Sequence, residues 1–322
     1  MKNIVLFQII FLFIFSACSD FSGNEDAVEA SLKPGPVTQQ QQEEESDSTR
    51  TYYDLDAITY GNNTFVAVGQ SGTVRTSSDG STWDNGTSGT PRQLYEIAYG
   101  DSTFVTVGER ATNLYSSDNG ASWSSGTTTE TSIYYGVANG DNVFVAVGNA
   151  DILSSTDNGS NWTTITTANL RDVAFGNSTF VACGANGAVY ESENGSSWTS
   201  RTSGASGNTL NGITFGNNLF FAVGSSGTLI KSTDNGSSWD TSPDSTVTTK
   251  LNSIAYGNNI FVAVGSNTVI ASSDNTGSTF GIKENTLSFN DVTFGNGIFV
   301  AVGDDEVIYT SSDGDNWTKV YP

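Results

Sequence analysis

The chain has 322 residues, carries a formal charge of −22, and contains no His and only two Cys. Its 12 Lys and Arg form no cluster, which excludes recognition of nucleic acid or an anionic membrane by phosphate neutralisation. The lack of His removes His-based triads, most zinc sites and the commonest general base, and no cofactor is implied. Abundant Gly, Ser, Thr and Asn, scarce Pro and 11% aromatics suit many short strands joined by tight turns.

The chain opens with one cation, Lys2, and an apolar run from Ile4 to Phe15 interrupted by Gln8. A run of this length suits a signal-peptide core better than a membrane span of about 20 residues. It ends in Phe15-Ser16-Ala17-Cys18, which resembles the bacterial lipoprotein signal, with Phe15 where Leu is usual. The resemblance implies a signal peptide over 1–17, cleavage before Cys18 and lipidation of that Cys. Ser19 resembles the outer-membrane sorting pattern, so a protein of the bacterial cell envelope, lipid-anchored at the outer membrane, is expected; the alternative is an ordinary secreted protein cut near Ala17. Residues 18–50 are acidic and polar, with a Gln run, three consecutive Glu and Pro34-Gly35-Pro36. They read as a disordered tether spanning ~30 Å on average.

From Tyr53 onward one unit recurs seven times. Phe-Val-Ala-Val-Gly or a close variant ends at Gly69, Gly108, Gly148, Gly184, Gly224, Gly265 and Gly303, at spacings of 36 to 41 residues. One unit reads as a strand at Leu251–Tyr256, a Gly-Asn-Asn turn, an almost wholly apolar second strand at Ile260–Val264, a third at Thr268–Ser272, and a fourth beginning at Phe280. Four antiparallel strands in about 40 residues is the period of a propeller blade. The fold expected for 51–322 is therefore an all-β, seven-bladed β-propeller, with an open β-solenoid as the rival. Thr49–Tyr53 is a candidate extra outer strand for the last blade.

Between third and fourth strands lies Ser/Thr-x-Asp-x-Gly-x-x-Trp, as in "STDNGSNW" at 155–162. This motif resembles the Asp box (BNR repeat) of sialidases, sortilin-type receptors and photosystem II assembly factors. The resemblance implies a hairpin turn remote from any ligand. Its acidic positions are Asp79, Asp118, Asp157, Glu193, Asp234, Asp274 and Asp313, with repeats one and seven one residue shorter. A calcium loop needs denser oxygen ligands, so no metal is expected there. Cys183 replaces a core Val and reads as a small core residue.

Function then falls to the opposite face. The position four residues before the first-strand aromatic should line the channel mouth: Asp56, Tyr95, Tyr135, Arg171, Asn211, Asn252 and Asn290. The next position holds Ala57, Glu96, Gly136, Asp172, Gly212, Ser253 and Asp291, of which Glu96 and Asp172 join the candidate site. The loops after the second strand add Glu109-Arg110, Asp151, Asn186 and Asp304-Asp305-Glu306. Such a rim suits a glycan or protein ligand, while a polar water-filled mouth without a ligand is the plainer reading. A monomeric, non-catalytic binding or scaffold protein is expected. The alternatives are an envelope assembly factor or a sialidase-like glycoside hydrolase, for which Arg171, Arg110, Arg92 and Arg201 supply arginines and Tyr95-Glu96 a Tyr/Glu pair.

Overall fold

The computed structural model describes residues 51–241, 247–272, 274–284 and 286–322; the signal segment, Cys18 and the acidic tether lie outside the described residues. Among the described residues, 28 strands form seven four-stranded antiparallel sheets, each built from four consecutive strands. This is the seven-bladed β-propeller.

Strand burial explains the order within a blade. The second strand of the first blade, Thr64–Gly69, has Phe65, Val66, Ala67 and Val68 all at 0% exposure, because a neighbouring blade covers each face of its sheet. The fourth strands are polar and mostly exposed, as Thr163–Thr167 illustrates, and they form the outer rim. Buried apolar clusters therefore sit between successive blades, one per seam, and together they replace a single central core.

Tight inter-blade contact depends on glycine at the end of the first strands. A Cβ on Gly61 would lie 2.0 Å from the Tyr99 ring of the next blade. A Cβ on Gly295, in the seventh blade, would lie 2.1 Å from the ring of Tyr60 in the first. Each of these two rings thus lies against a neighbour's glycine, so the last blade meets the first as the first meets the second; at Gly100 the Asn139 side chain takes the ring's place.

Among the described residues the ring closes without a borrowed strand. The outer strand of the seventh blade is Thr318–Tyr321, and residues 51–54 form no strand, so the extra strand expected at Thr49–Tyr53 does not extend into the described residues. Side-chain and backbone bonds do the work instead. Leu55 N donates to Gly303 O at 3.1 Å, and Asn290 Nδ2 donates to Leu55 O at 3.0 Å. Glu306, fully buried, accepts 2.7 Å and 3.3 Å bonds from the Arg75 guanidinium and a 3.2 Å bond from Tyr53 N. Glu306 is therefore a seam residue and not part of the rim expected for its loop.

The hairpin turns of the first and second strands share one end of the ring with the Asp-bearing turns. Asn62 Nδ2 of the first blade donates to Asn119 Oδ1 in the second blade's turn at 2.8 Å. In the 155–162 turn, Asp157 Oδ1 accepts from Asn161 N at 2.9 Å, and Gly159 takes φ 81°. Trp162 Nε1 donates to Gly159 O at 3.0 Å, anchoring the fourth strand.

The fourth blade corrects one assignment. There Asn194 Oδ1, not the Glu193 carboxylate, accepts from Ser196 N and Ser197 N, each at 2.9 Å. The turn is the short form, Ser192-Glu193-Asn194-Gly195, so the acceptor stands one residue before Gly, as Asp79 does before Gly80. Glu193 occupies the variable position and is exposed.

Candidate functional site

At the end of the ring opposite these turns, the first strands carry a repeated irregularity. In the first blade Leu55 pairs with Gly69 and Ala57 with Val68, leaving Asp56 as an extra residue. The same bulge falls at Tyr95, Tyr135, Arg171, Asn211 and Asn252. In the seventh blade, Asn290 immediately precedes the strand Asp291–Gly295. A bulge re-aims the side chain at the extra position, and here it turns each one toward the axis.

All nine residues expected at the mouth line one cavity of about 580 Å³: Asp56, Tyr95, Glu96, Tyr135, Arg171, Asp172, Asn211, Asn252 and Asn290. Thr209, Ser225, Lys250, Ser253 and Asp291 complete the lining. Ser253 and Asp291 share the register of Glu96 and Asp172, and that register was the signal by which they belong to the set. Of the loop residues, Asp151 is buried and accepts a 2.8 Å bond from Ser132 Oγ. Arg201 lies on the fourth strand of the fourth blade, Thr199–Thr202, where it pairs with Glu191.

The mouth has two unlike halves. In blades two to four the side chains stack: Tyr95 and Tyr135 ring centres are 5.4 Å apart at 50°, and Arg171 Cζ lies 4.2 Å from the centre of the Tyr135 ring. This is cation–π geometry, and Arg171 forms no ion pair among the described residues. In blades five to seven, short amides tie each blade to the next. Asn211 Nδ2 donates to Leu251 O at 2.8 Å and Asn252 Nδ2 to Phe289 O at 2.7 Å. Asp56 accepts from Gln93 Nε2 at 2.9 Å.

The floor is a set of carboxylates. Asp172 accepts from Val173 N at 2.7 Å and from Ile213 N of the next blade at 2.8 Å. Asp291 accepts from Val292 N at 2.8 Å, Ser253 Oγ at 2.5 Å and Ile58 N at 2.7 Å. Small neighbours permit this reach: a Cβ on Gly212 would lie 2.8 Å from Asn252 O. Glu96 accepts from Ile97 N at 2.9 Å. Burial raises Asp172 to about 7 and Asp291 to about 6, against the lowering effect of their hydrogen bonds. Burial raises Asp56 to about 7. Glu96 is pushed well above its ordinary value by burial and then by the charges of Asp291 and Asp172.

Cys183 lies behind Asp172, 0% exposed within the cluster between blades four and five, and burial pushes its thiol up. Nothing in that setting activates it as a nucleophile.

No protein-family model matches the sequence, and no curated protein matches it. Solved structures do match. YCF48 from Cyanidioschyzon merolae aligns with TM-score 0.65 and 17% identity over 81% of this chain and 96% of that one. A structure of YCF48 bound to D1 peptide gives TM-score 0.64, again at 17% identity, over 81% and 93%. A catalytically inactive virginiamycin B lyase from Staphylococcus aureus with quinupristin gives 0.68 at 13% identity, over 81% and 96%. At these identities the likeness establishes the propeller fold.

Proposed function

We propose that this chain is a non-catalytic binding propeller of the bacterial cell envelope, anchored through a lipid on Cys18, whose mouth docks a segment of a protein partner. The observation that carries the reading is the convergence of seven equivalent positions, six of them bulges, on one cavity. One half of that cavity is a continuous Tyr95–Tyr135–Arg171 stack. Aromatic and arginine side chains fixed by mutual packing are the residue types that dominate protein recognition. The YCF48 structure bound to D1 peptide supports a peptide as the ligand type for a propeller of this shape. The Asp-box resemblance of the turns agrees, since it places the ligand at the far end.

The hydrolase alternative has less support. Arg171 is the single arginine among the residues lining the cavity, whereas a sialidase-like site needs three. Glu96 holds its neighbour's backbone amide in the floor.

The test is photo-crosslinking in the native host. A benzophenone amino acid replaces Tyr135 in the full chain, and a control replaces Asn158 in the exposed turn at the other end. A discrete protein adduct from position 135 alone supports the reading. Adducts from 158 alone overturn it. So does turnover of a fluorogenic sialoside or other glycoside that Arg171→Ala abolishes.

A further inference from the structure

Below the mouth lies a second cavity of about 230 Å³, lined by residues of the first strands such as Ile58, Ile97, Asn139, Val173, Ile213 and Ile254. The two cavities share only Glu96, Asp172, Ser253 and Asp291. These four form a collar across the axis, three of them carboxylates, between the mouth and the channel below it.

The collar is rigid and uncompensated. Backbone amides of their own and neighbouring blades fix Asp172 and Asp291, so neither can swing away from the other. Glu96 takes a single amide, from Ile97. Among the described residues, no Lys or Arg forms an ion pair with any of the three. Carboxylates held at one level of a narrow channel, without a counter-cation, cannot all stay ionised cheaply.

We propose that the collar is a proton-operated switch, with Glu96 its first proton acceptor, that sets the charge of the mouth. The step is simple protonation: a collar carboxylate takes H⁺ from water as pH falls and returns it as pH rises. The amide bond to Glu96 survives both states, because a protonated carboxyl keeps one oxygen that accepts. Asp172 and Asp291 accept through both oxygens and would have one bond weakened on protonation, which favours Glu96 as the first acceptor. Only the switch's effect on a partner rests on the docking role proposed above.

The surrounding charges are few. Asp56 faces the mouth from the first blade, Tyr95 from the second, Tyr135 from the third and Arg171 from the fourth. Lys250 faces it from the sixth, the Cys183 thiol lies behind Asp172, and the fifth blade contributes the uncharged Asn211. Asp54 and Asp304 stand behind Asp56 and add to its repulsion. Two cations at the rim therefore face four acids, and neither cation neutralises the collar.

The sign of the stability effect follows. Burial raises these carboxyls above their unfolded values, so folding favours the protonated form. That contribution is complete below the ordinary carboxylate range and is lost as pH rises through the folded values near 6 and 7.

The experiment follows side-chain carboxyl ¹³C shifts of the full chain from about pH 3 to 9, in wild type and Glu96→Gln. Expected in wild type is at least one Asp or Glu midpoint above about pH 6. In Glu96→Gln one such transition disappears and the remaining collar midpoints move down. Wild-type midpoints all below about pH 5 overturn the proposal whether or not the variant folds. Line broadening of the Tyr95 and Tyr135 ring signals by a cationic nitroxide reads the mouth's charge. It should grow between about pH 5.5 and 8.5, and no change overturns the switch. Neither readout needs a partner, so failure here and failure of crosslinking at Tyr135 are separate results.

Discussion

The backbone amide of Ile58 in the first blade donates a 2.7 Å hydrogen bond to the Asp291 carboxylate in the seventh, across 233 residues of sequence. The same bond joins blades four and five, where Ile213 N meets Asp172 at 2.8 Å. Ring closure therefore reuses an inter-blade contact found elsewhere in the ring, and adds to it a buried ion pair that the other seams lack among the described residues.

That ion pair leads to the first prediction. Arg75 and Glu306 are 9% and 0% exposed at the side chain, and the pair is bidentate. Arg75→Met should remove the guanidinium that bonds buried Glu306 and cost about 3–5 kcal/mol in urea unfolding. The double variant Arg75→Met/Glu306→Leu should recover much of that loss. If the single variant costs under about 1 kcal/mol, the seam is held elsewhere.

The fourth blade supplies the second. Asn194→Ala removes the acceptor of two turn amides and should cost about 1–2 kcal/mol. Glu193→Ala, on an exposed side chain outside the turn's bonds, should stay within about 0.5 kcal/mol. Chemical denaturation of the two variants side by side decides which residue builds the turn.

Acid sensitivity supplies the third. Hydrogen bonds from Asn161 hold Asp157 below the ordinary carboxylate range, so this turn stabilises fully above that range and loses its contribution as pH falls through the lowered value. Asp157→Asn keeps the oxygen that accepts from Asn161 N, as Asn194 does in its own turn, and gives up the charge together with the second acceptor that takes the 2.7 Å bond from Asn161 Nδ2. Thermal unfolding of the variant should therefore lie slightly below wild type at neutral pH and converge with it in strong acid. Parallel curves at all pH values would rule out a titrating Asp157.

How much of this was readable beforehand varies with its physical origin. The fold was, because the period of the apolar strand and its closing glycine records burial on both faces of every blade. The mouth was too, because counting back from the first-strand aromatic finds the same pleat position in each copy, and a bulge there aims the side chain inward. What stayed hidden depended on partners distant in sequence. Nothing local marks Glu306 as the mate of Arg75, or Asp291 as the acceptor for Ile58. The Glu193 assignment went wrong through alignment: a missing residue in a turn shifts the acceptor by one, and only the geometry of Gly195 reveals it.

The rim supplies the last prediction. Tyr135 touches both Tyr95 and Arg171, so it is the middle member of the stack, and its loss frees both neighbours at once. Tyr135→Ala should therefore weaken capture of the partner crosslinked from this mouth by about 10- to 100-fold, consistent with an anchor residue. Arg171→Ala, which leaves the tyrosine pair in contact, should weaken it less. Combining the two should cost little beyond Tyr135→Ala alone, because the guanidinium has already lost its platform. Stability should hardly separate the three variants, since these side chains are only partly buried. Fully additive losses in affinity would mean that Arg171 acts independently of the ring beneath it, and equal binding by all three would remove the mouth as the docking site.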